Sequence, residues 1–203
     1  MSWRSERFKS FVENFLLVVF FALLVRVFVV SPYRVPNDLM SPQLQTGDVL
    51  IGYRLPLGLR LPFMEEKYFA GEPELGQVVV YRSQDFFHRP YVRRVVALSG
   101  DRVEIRQGLL FVNGVLSPSN FAGAQSDAFS LHSSFVPQGH VMVLADQRLS
   151  KLSEESQTPL WKFVPTDSVE AQILGLWVSF DWKSDRPLPN WRPDRTLSFL
   201  DSP

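Results

Sequence analysis

Between residues 11 and 30 the chain is apolar almost without a break. Phe11 and Val12 precede Glu13 and Asn14, residues 15–25 carry no polar side chain, and Val27-Phe28-Val29-Val30 follow a lone Arg26. A run of about 20 mostly apolar residues is long enough for a helix to cross a bilayer. Arg4, Arg7 and Lys9 precede it, and the positive-inside rule then leaves residues 1–10 in the cytoplasm, 11–30 as anchor and 31–203 outside. Arg26 falls about one turn from the outer end, where its long stem carries the charge to the interface. The competing reading is a cleavable signal peptide, which requires a small-residue cleavage site after a shorter apolar core. No such site follows here.

Beyond residue 30 the period changes to that of strands. Residues 47–53 read as a turn feeding a strand, rich in β-branched and aromatic residues. Residues 76–82 form a second, whose consecutive valines predict burial on both faces. Residues 103–105 and 108–115 read as a hairpin with Asn113-Gly114 as a turn. Residues 64–75 are a mixed polar excursion, and 117–134 are rich in Ser, Ala, Asn and Gly without periodicity, which predicts a loop. Residues 161–165 and 173–180 are expected to close the sheet. The expected architecture is one mainly antiparallel β domain on a single N-terminal transmembrane helix, with no internal repeat and no second domain.

Composition narrows the function. The 203 residues carry a formal net charge of zero, which argues for no nucleic-acid surface. Cysteine is absent, so disulfides, a thiol nucleophile and zinc knuckles are excluded. Three histidines (His88, His132 and His140) lack metal-binding spacing, and neither a metal nor another cofactor is expected. Seventeen phenylalanines and five tryptophans are enough to fill a core or to arm a face that meets lipid or an apolar peptide.

The most specific stretch is Val35-Pro36-Asn37-Asp38-Leu39-Met40-Ser41-Pro42-Gln43-Leu44, followed by Gly47-Asp48. It resembles the Pro-Ser-Gly-Ser-Met-x-Pro-Thr-Leu signature of the bacterial type I signal peptidases, membrane-anchored serine proteases that clip leader peptides from exported proteins. Pro36, Met40, Pro42 and Leu44 match, and Leu39 stands at the place of the nucleophilic serine. Tyr91-Val92-Arg93-Arg94-Val95-Val96-Ala97-Leu98-Ser99-Gly100-Asp101 resembles Tyr-Ile-Lys-Arg-Val-x-Gly-Leu-Pro-Gly-Asp, with Arg93 at the place of the general-base lysine. Residues 57–63 resemble the family's Tyr-Gly-x-Arg-x-Pro-Phe loop. Residues 136–148 resemble Val-Pro-x-Gly-x-x-x-Val-x-Gly-Asp-Asn-Arg, keeping Asp146 and Arg148 but bearing Ala145 and Gln147. The Ser-x-Asp-Ser-Arg that buttresses the lysine is blurred into residues 150–157. Trp191-Arg192-Pro193-Asp194-Arg195 is similar to the terminal Trp-Asp-Arg. The resemblance runs in order through nearly the whole chain and implies the signal-peptidase fold, in a bacterial cytoplasmic membrane.

What it implies for chemistry is largely negative. A serine peptidase needs a hydroxyl, a base to deprotonate it and donors for the oxyanion, and leucine has nothing to attack with. A Ser/Lys base works as a neutral amine, whereas a guanidinium stays charged. Asp38, at the family's glycine, adds a carboxylate near the expected oxyanion. Ser41 is the alternative nucleophile, with Lys67, Lys151 or Lys162 as base, but two residues of extended chain displace the hydroxyl by about 6–7 Å. Arg93 either pairs with Asp146, Glu104 or Asp38, or fixes the carbonyl of a bound peptide. Asn37, Asp38, Met40, Pro42, Leu44 and Tyr91 are the expected substrate-binding residues, and Gly100, Asp101, Asp146 and Arg148 support the site. A cleft without catalysis still binds an extended peptide through a strand edge. The leading expectation is an inactive homologue that binds signal peptides, preproteins or secretion and pilus-type assembly proteins. The alternatives are an active peptidase with an atypical site and a structural subunit of a membrane complex.

Overall fold

The structure, a computed structural model, describes residues 3–60, 67–68, 71–82, 90–106, 109–117, 131–146, 160–181 and 190–200, with the backbone alone at 3–6, 24–25, 27–28, 59–60, 67–68 and 199. One helix, α1 (Trp3–Phe28), precedes fifteen described strands. These are β1 (Val30–Arg34), β2 (Asp48–Tyr53), β3 (Leu59–Arg60), β4 (Lys67–Tyr68), β5 (Val78–Arg82), β6 (Pro90–Ala97), β7 (Arg102–Arg106) and β8 (Leu109–Val112). They continue with β9 (Val115–Leu116), β10 (Leu131–Phe135), β11 (His140–Leu144), β12 (Trp161–Pro165), β13 (Val169–Asp181), β14 (Asn190–Trp191) and β15 (Ser198–Phe199).

The chain is mainly antiparallel β, as expected. The main sheet runs β1-β2-β13-β5-β6-β11-β12, with β14 and β15 added to β13. A smaller sheet runs β10-β7-β8-β9, and β3 pairs with β4. The valines of β5 divide as their period requires. Val78 and Val80 enter one core cluster with Tyr33, Met40, Leu44 and Leu50. Val79 and Tyr81 enter another on the opposite face with Val95, Val143 and Val169. Both faces of this strand are covered, which is why its sequence does not alternate.

Several expectations need correction. The segment after the anchor is a strand: β1 pairs with β2 from Val30↔Tyr53 to Arg34↔Val49. Pro32 hid it, yet proline is tolerated on an edge strand, which β1 is. The Asn113-Gly114 turn, with φ of 53° and 81°, joins β8 to β9 rather than closing the β7–β8 pair. The end of the expected loop 117–134 is strand β10, paired with β7 through a register shift. Residues 173–180 do not close the sheet. They lie in β13, an interior strand of the sheet, where residues 173–179 pair with β2 and residues 175, 176 and 180 with β15 and β14, while residues 169–172 of the same strand pair with β5. Three register shifts bend this 13-residue strand, as bulges do.

The expected anchor is helical through Phe28. Among the described residues no helix is long and apolar enough to cross a membrane. The described side chains of α1 nevertheless meet almost nothing: Phe8, Phe11, Phe15, Leu17, Phe20 and Leu23 are each more than half exposed.

Where β1 and β2 meet, the backbone comes very near a ring. A Cβ added at Gly52 falls 2.5 Å from Cε2 of Tyr33 and 3.1 Å from Cβ of Ala171. The ring is not free to retreat, because its hydroxyl accepts from Nε and Nη2 of Arg54 at 3.2 and 3.1 Å. Gly52→Ala is therefore expected to destabilise the fold by about 1–3 kcal/mol, the usual cost of overpacking, measured as a lowered urea midpoint.

Candidate functional site

The loop between β1 and β2 carries Leu39, and local hydrogen bonds set its shape. Asn37 caps a short 3-10 turn over Asp38–Met40, its Oδ1 accepting from the Leu39 amide at 3.4 Å. The Ser41 amide donates to the Asp38 carbonyl at 2.9 Å, and the Leu44 amide to the Met40 carbonyl at 2.9 Å. The Asp38 carboxylate does not stand open. Its Oδ1 accepts from the Thr46 amide at 2.7 Å, bracing the loop across its width. Leu39 and Met40 are each 1% exposed, and Leu44 is fully buried. Met40 and Leu44 belong to the core cluster, whereas Pro42 is exposed. Ser41, partly buried, precedes Pro42 through a cis peptide bond.

The loop is closed at its base by Asp48, a residue the sequence reading passed over as part of a turn. Its carboxylate is completely buried. Oδ1 accepts from the Ser179 hydroxyl and, at 3.4 Å, from Nη2 of Arg192. Oδ2 accepts from the Gln45 amide at 2.8 Å and from Nη2 of Arg195 at 3.0 Å. Arg192 also donates to the Gln45 side chain and to the Thr46 and Phe180 carbonyls, and Arg195 to the Gln43 carbonyl. The C-terminal arginines thus grip the loop from behind.

On β6, Arg93 and Arg94 point to opposite faces, as successive strand residues do. Arg94 makes the pairing proposed for Arg93. Its Nε and Nη2 hold Oδ1 and Oδ2 of Asp146 at 3.0 and 2.7 Å, Nη1 reaches the Gly76 carbonyl at 2.9 Å, and Nη2 also reaches Oε1 of Gln43. The Leu39 loop is thereby tied to β6 one residue from Arg93. Glu104 pairs with Arg106 instead.

Arg93 is 2% exposed. Nη1 donates to the Val92 carbonyl at 2.7 Å, while Nε and Nη2 have no acceptor among the described residues. Burial pulls its pKa below the ordinary value, opposed by Tyr81, Tyr91 and Asp146. The Tyr91 ring lies 6.0 Å from its Cζ and stacks on Tyr81, with centroids 5.6 Å apart.

Gly100, with φ of +86°, and Asp101 form the turn between β6 and β7. Asp101 accepts from the Leu98 amide and from Nδ2 of Asn113, which fixes the smaller sheet to the end of β6. Lys162 is on β12, two strands beyond β6. Arg148, Lys151, the Lys67 side chain and residues 150–157 lie outside the described residues. Among the described residues no cluster of His, Asp or Glu suits a metal ion.

Comparison with known proteins identifies the family of the chain. A family model described as signal peptidase, peptidase S26, matches residues 8–178. Signal peptidase I of Pseudomonas fluorescens is 26% identical over 88% of this chain and 75% of its own length. That of Pseudomonas aeruginosa is 25% identical over the same shares. A probable signal peptidase I-2 of Synechocystis is 28% identical over 77% of this chain and 67% of its own. A solved signal peptidase I from Enterococcus faecalis aligns with a TM-score of 0.37 at 20% identity, covering 50% of this chain and 96% of that one.

Two measurements separate the charges described above. Asp48→Asn leaves two partly exposed arginines without their carboxylate and is expected to cost about 1–3 kcal/mol in urea unfolding, the range for leaving buried hydrogen-bonding groups without their partner. The neighbouring arginines should respond oppositely to methionine. Arg94→Met strands Asp146 and lowers stability, whereas Arg93→Met removes a buried, unpaired charge and raises the melting temperature.

Proposed function

The chain belongs to the signal peptidase family, peptidase S26, and from that premise we propose that it is a member without the Ser/Lys dyad that binds leader peptides rather than cutting them. The residues at the two dyad positions carry this reading. Leu39 offers no nucleophile, and the guanidinium of Arg93 cannot serve as the neutral amine base of a Ser/Lys pair. Loss of both roles together is expected to leave hydrolysis roughly a million-fold below that of an intact serine site. Asp38, engaged with the Thr46 amide, is a brace and not a replacement base. For Ser41 to attack, its segment would have to break the 38–41 turn.

The working place is the outer face of a bacterial cytoplasmic membrane. α1 supports this with apolar side chains that remain exposed along its described length. Apolar surface of that extent calls for lipid or a partner. Binding partners would be signal peptides, preproteins or assembly proteins that present an extended apolar segment.

A second reading, a structural subunit whose cleft has closed, draws support from the burial of Leu39 and Met40. The unsatisfied Arg93 weighs against it, because a closed interior gains nothing from a guanidinium with two idle donors.

The test uses the full chain purified in detergent with a preprotein bearing an Ala-x-Ala site and with the isolated leader peptide. The expected result is no cleavage, the same for Ser41→Ala, together with saturable leader binding. Cleavage that disappears in Ser41→Ala overturns the reading and places the nucleophile at Ser41. Absence of both cleavage and binding leaves the structural subunit.

A further inference from the structure

Arg93 is a buried cation whose Nε and Nη2 have no acceptor among the described residues. The nearby carboxylate, Asp146, is occupied: Arg94 holds both its oxygens through the edge formed by Nε and Nη2. On Arg93 the same Nε and Nη2 edge is empty among the described residues, and only Nη1 is engaged. Adjacent residues of one strand thus present the same two-pronged donor, one filled by a carboxylate and one vacant.

The chemistry of the vacancy selects its ligand. A peptide carbonyl or a water supplies an acceptor but leaves the charge unbalanced. A carboxylate supplies two oxygens at the spacing of that edge together with the countercharge. We propose that the Nε and Nη2 edge of Arg93 receives the free C-terminal carboxylate of a bound peptide, so that the preferred ligand is a leader already cut and not the uncut preprotein.

This rests on the leader-binding reading above and sharpens it. Arg93 stands where the resemblance puts the base, beside the reacting carbonyl, and in a cut leader that carbon bears the carboxylate. Tyr91 links the buried edge to the surface: its ring lies 6.0 Å from the guanidinium carbon, and the residue is itself partly exposed. No bond is made or broken; the site retains a product.

The experiment titrates the full chain in detergent with two fluorescent leader peptides ending in Ala-x-Ala, one a free acid and one a C-terminal amide. The acid is expected to bind about ten- to a hundredfold more tightly, the range for a buried charge-assisted pair of hydrogen bonds. Arg93→Met should abolish that preference, so that acid and amide bind alike, while Arg93→Lys, which keeps the charge without the edge, should retain part of it. An amide peptide with Asp at its last position distinguishes a side-chain carboxylate from the chain end and is expected to bind like the plain amide. Equal binding of acid and amide by the wild-type chain overturns the proposal while leaving leader binding intact. A preference that survives in Arg93→Met overturns it as well, placing the anion site elsewhere. No binding of either peptide overturns the leader-binding reading itself.

Discussion

The buried carboxylate of Asp48 is the constraint on which the rest of the site depends. It opens β2, and its backbone closes the preceding loop: the Val35 amide donates to the Asp48 carbonyl at 2.9 Å. Its side chain draws Ser179 from the central strand β13 and Arg192 and Arg195 from the C-terminal segment to one point. A carboxylate without water is tolerated only when its lone pairs are filled and its charge opposed. Four donors accomplish this here. The Leu39 loop, shaped locally by its own turn, is therefore also held from beneath by segments about 130–150 residues away in sequence.

From above, the loop is set by Arg94, whose guanidinium bonds Gln43 of the loop, the Gly76 carbonyl and Asp146. The two anchors act on different charges but to one end, a loop whose apolar residues point inward. Leu39, Met40 and Leu44 are buried because the loop is held at both ends, and Met40 and Leu44 add apolar area to the core that β5, β6 and β13 share.

Arg93 is the exception to this economy of pairing. Elsewhere buried charge is matched: Asp48 by two arginines, Asp146 by Arg94. At Arg93 desolvation acts without an ion pair among the described residues, and Nε and Nη2 have no acceptor among them. Such groups are uncommon in folded proteins because each costs free energy, and they are tolerated where a function uses them. The Tyr91 ring, itself stacked on Tyr81, softens the cost through the negative face of its π system without supplying an acceptor for Nε or Nη2.

What the sequence determined by itself was whatever depends on neighbours in the chain. The run 11–30 is long and apolar enough to specify a helix, the consecutive valines of 78–80 announce a strand covered on both sides, and Asn113-Gly114 marks a tight turn. The order of family motifs located the loop and β6, and the side chains at Leu39 and Arg93 are chemical facts that need no fold. Tertiary structure decided what depends on partners far along the chain. A strand's period of two places Arg93 and Arg94 on opposite faces but does not say which face meets Asp146, and so Asp146 stands in the sequence only as one of three possible partners of Arg93, whereas the fold gives it to Arg94. Asp48 reads as an ordinary turn residue until Ser179, Arg192 and Arg195 converge on it. Strand β13 resembles an edge element in isolation and becomes the centre of the sheet only once β2 and β5 flank it. Burial and charge pairing are properties of the assembled interior, because desolvation is set by every segment that packs around a group and not by the residues beside it in sequence.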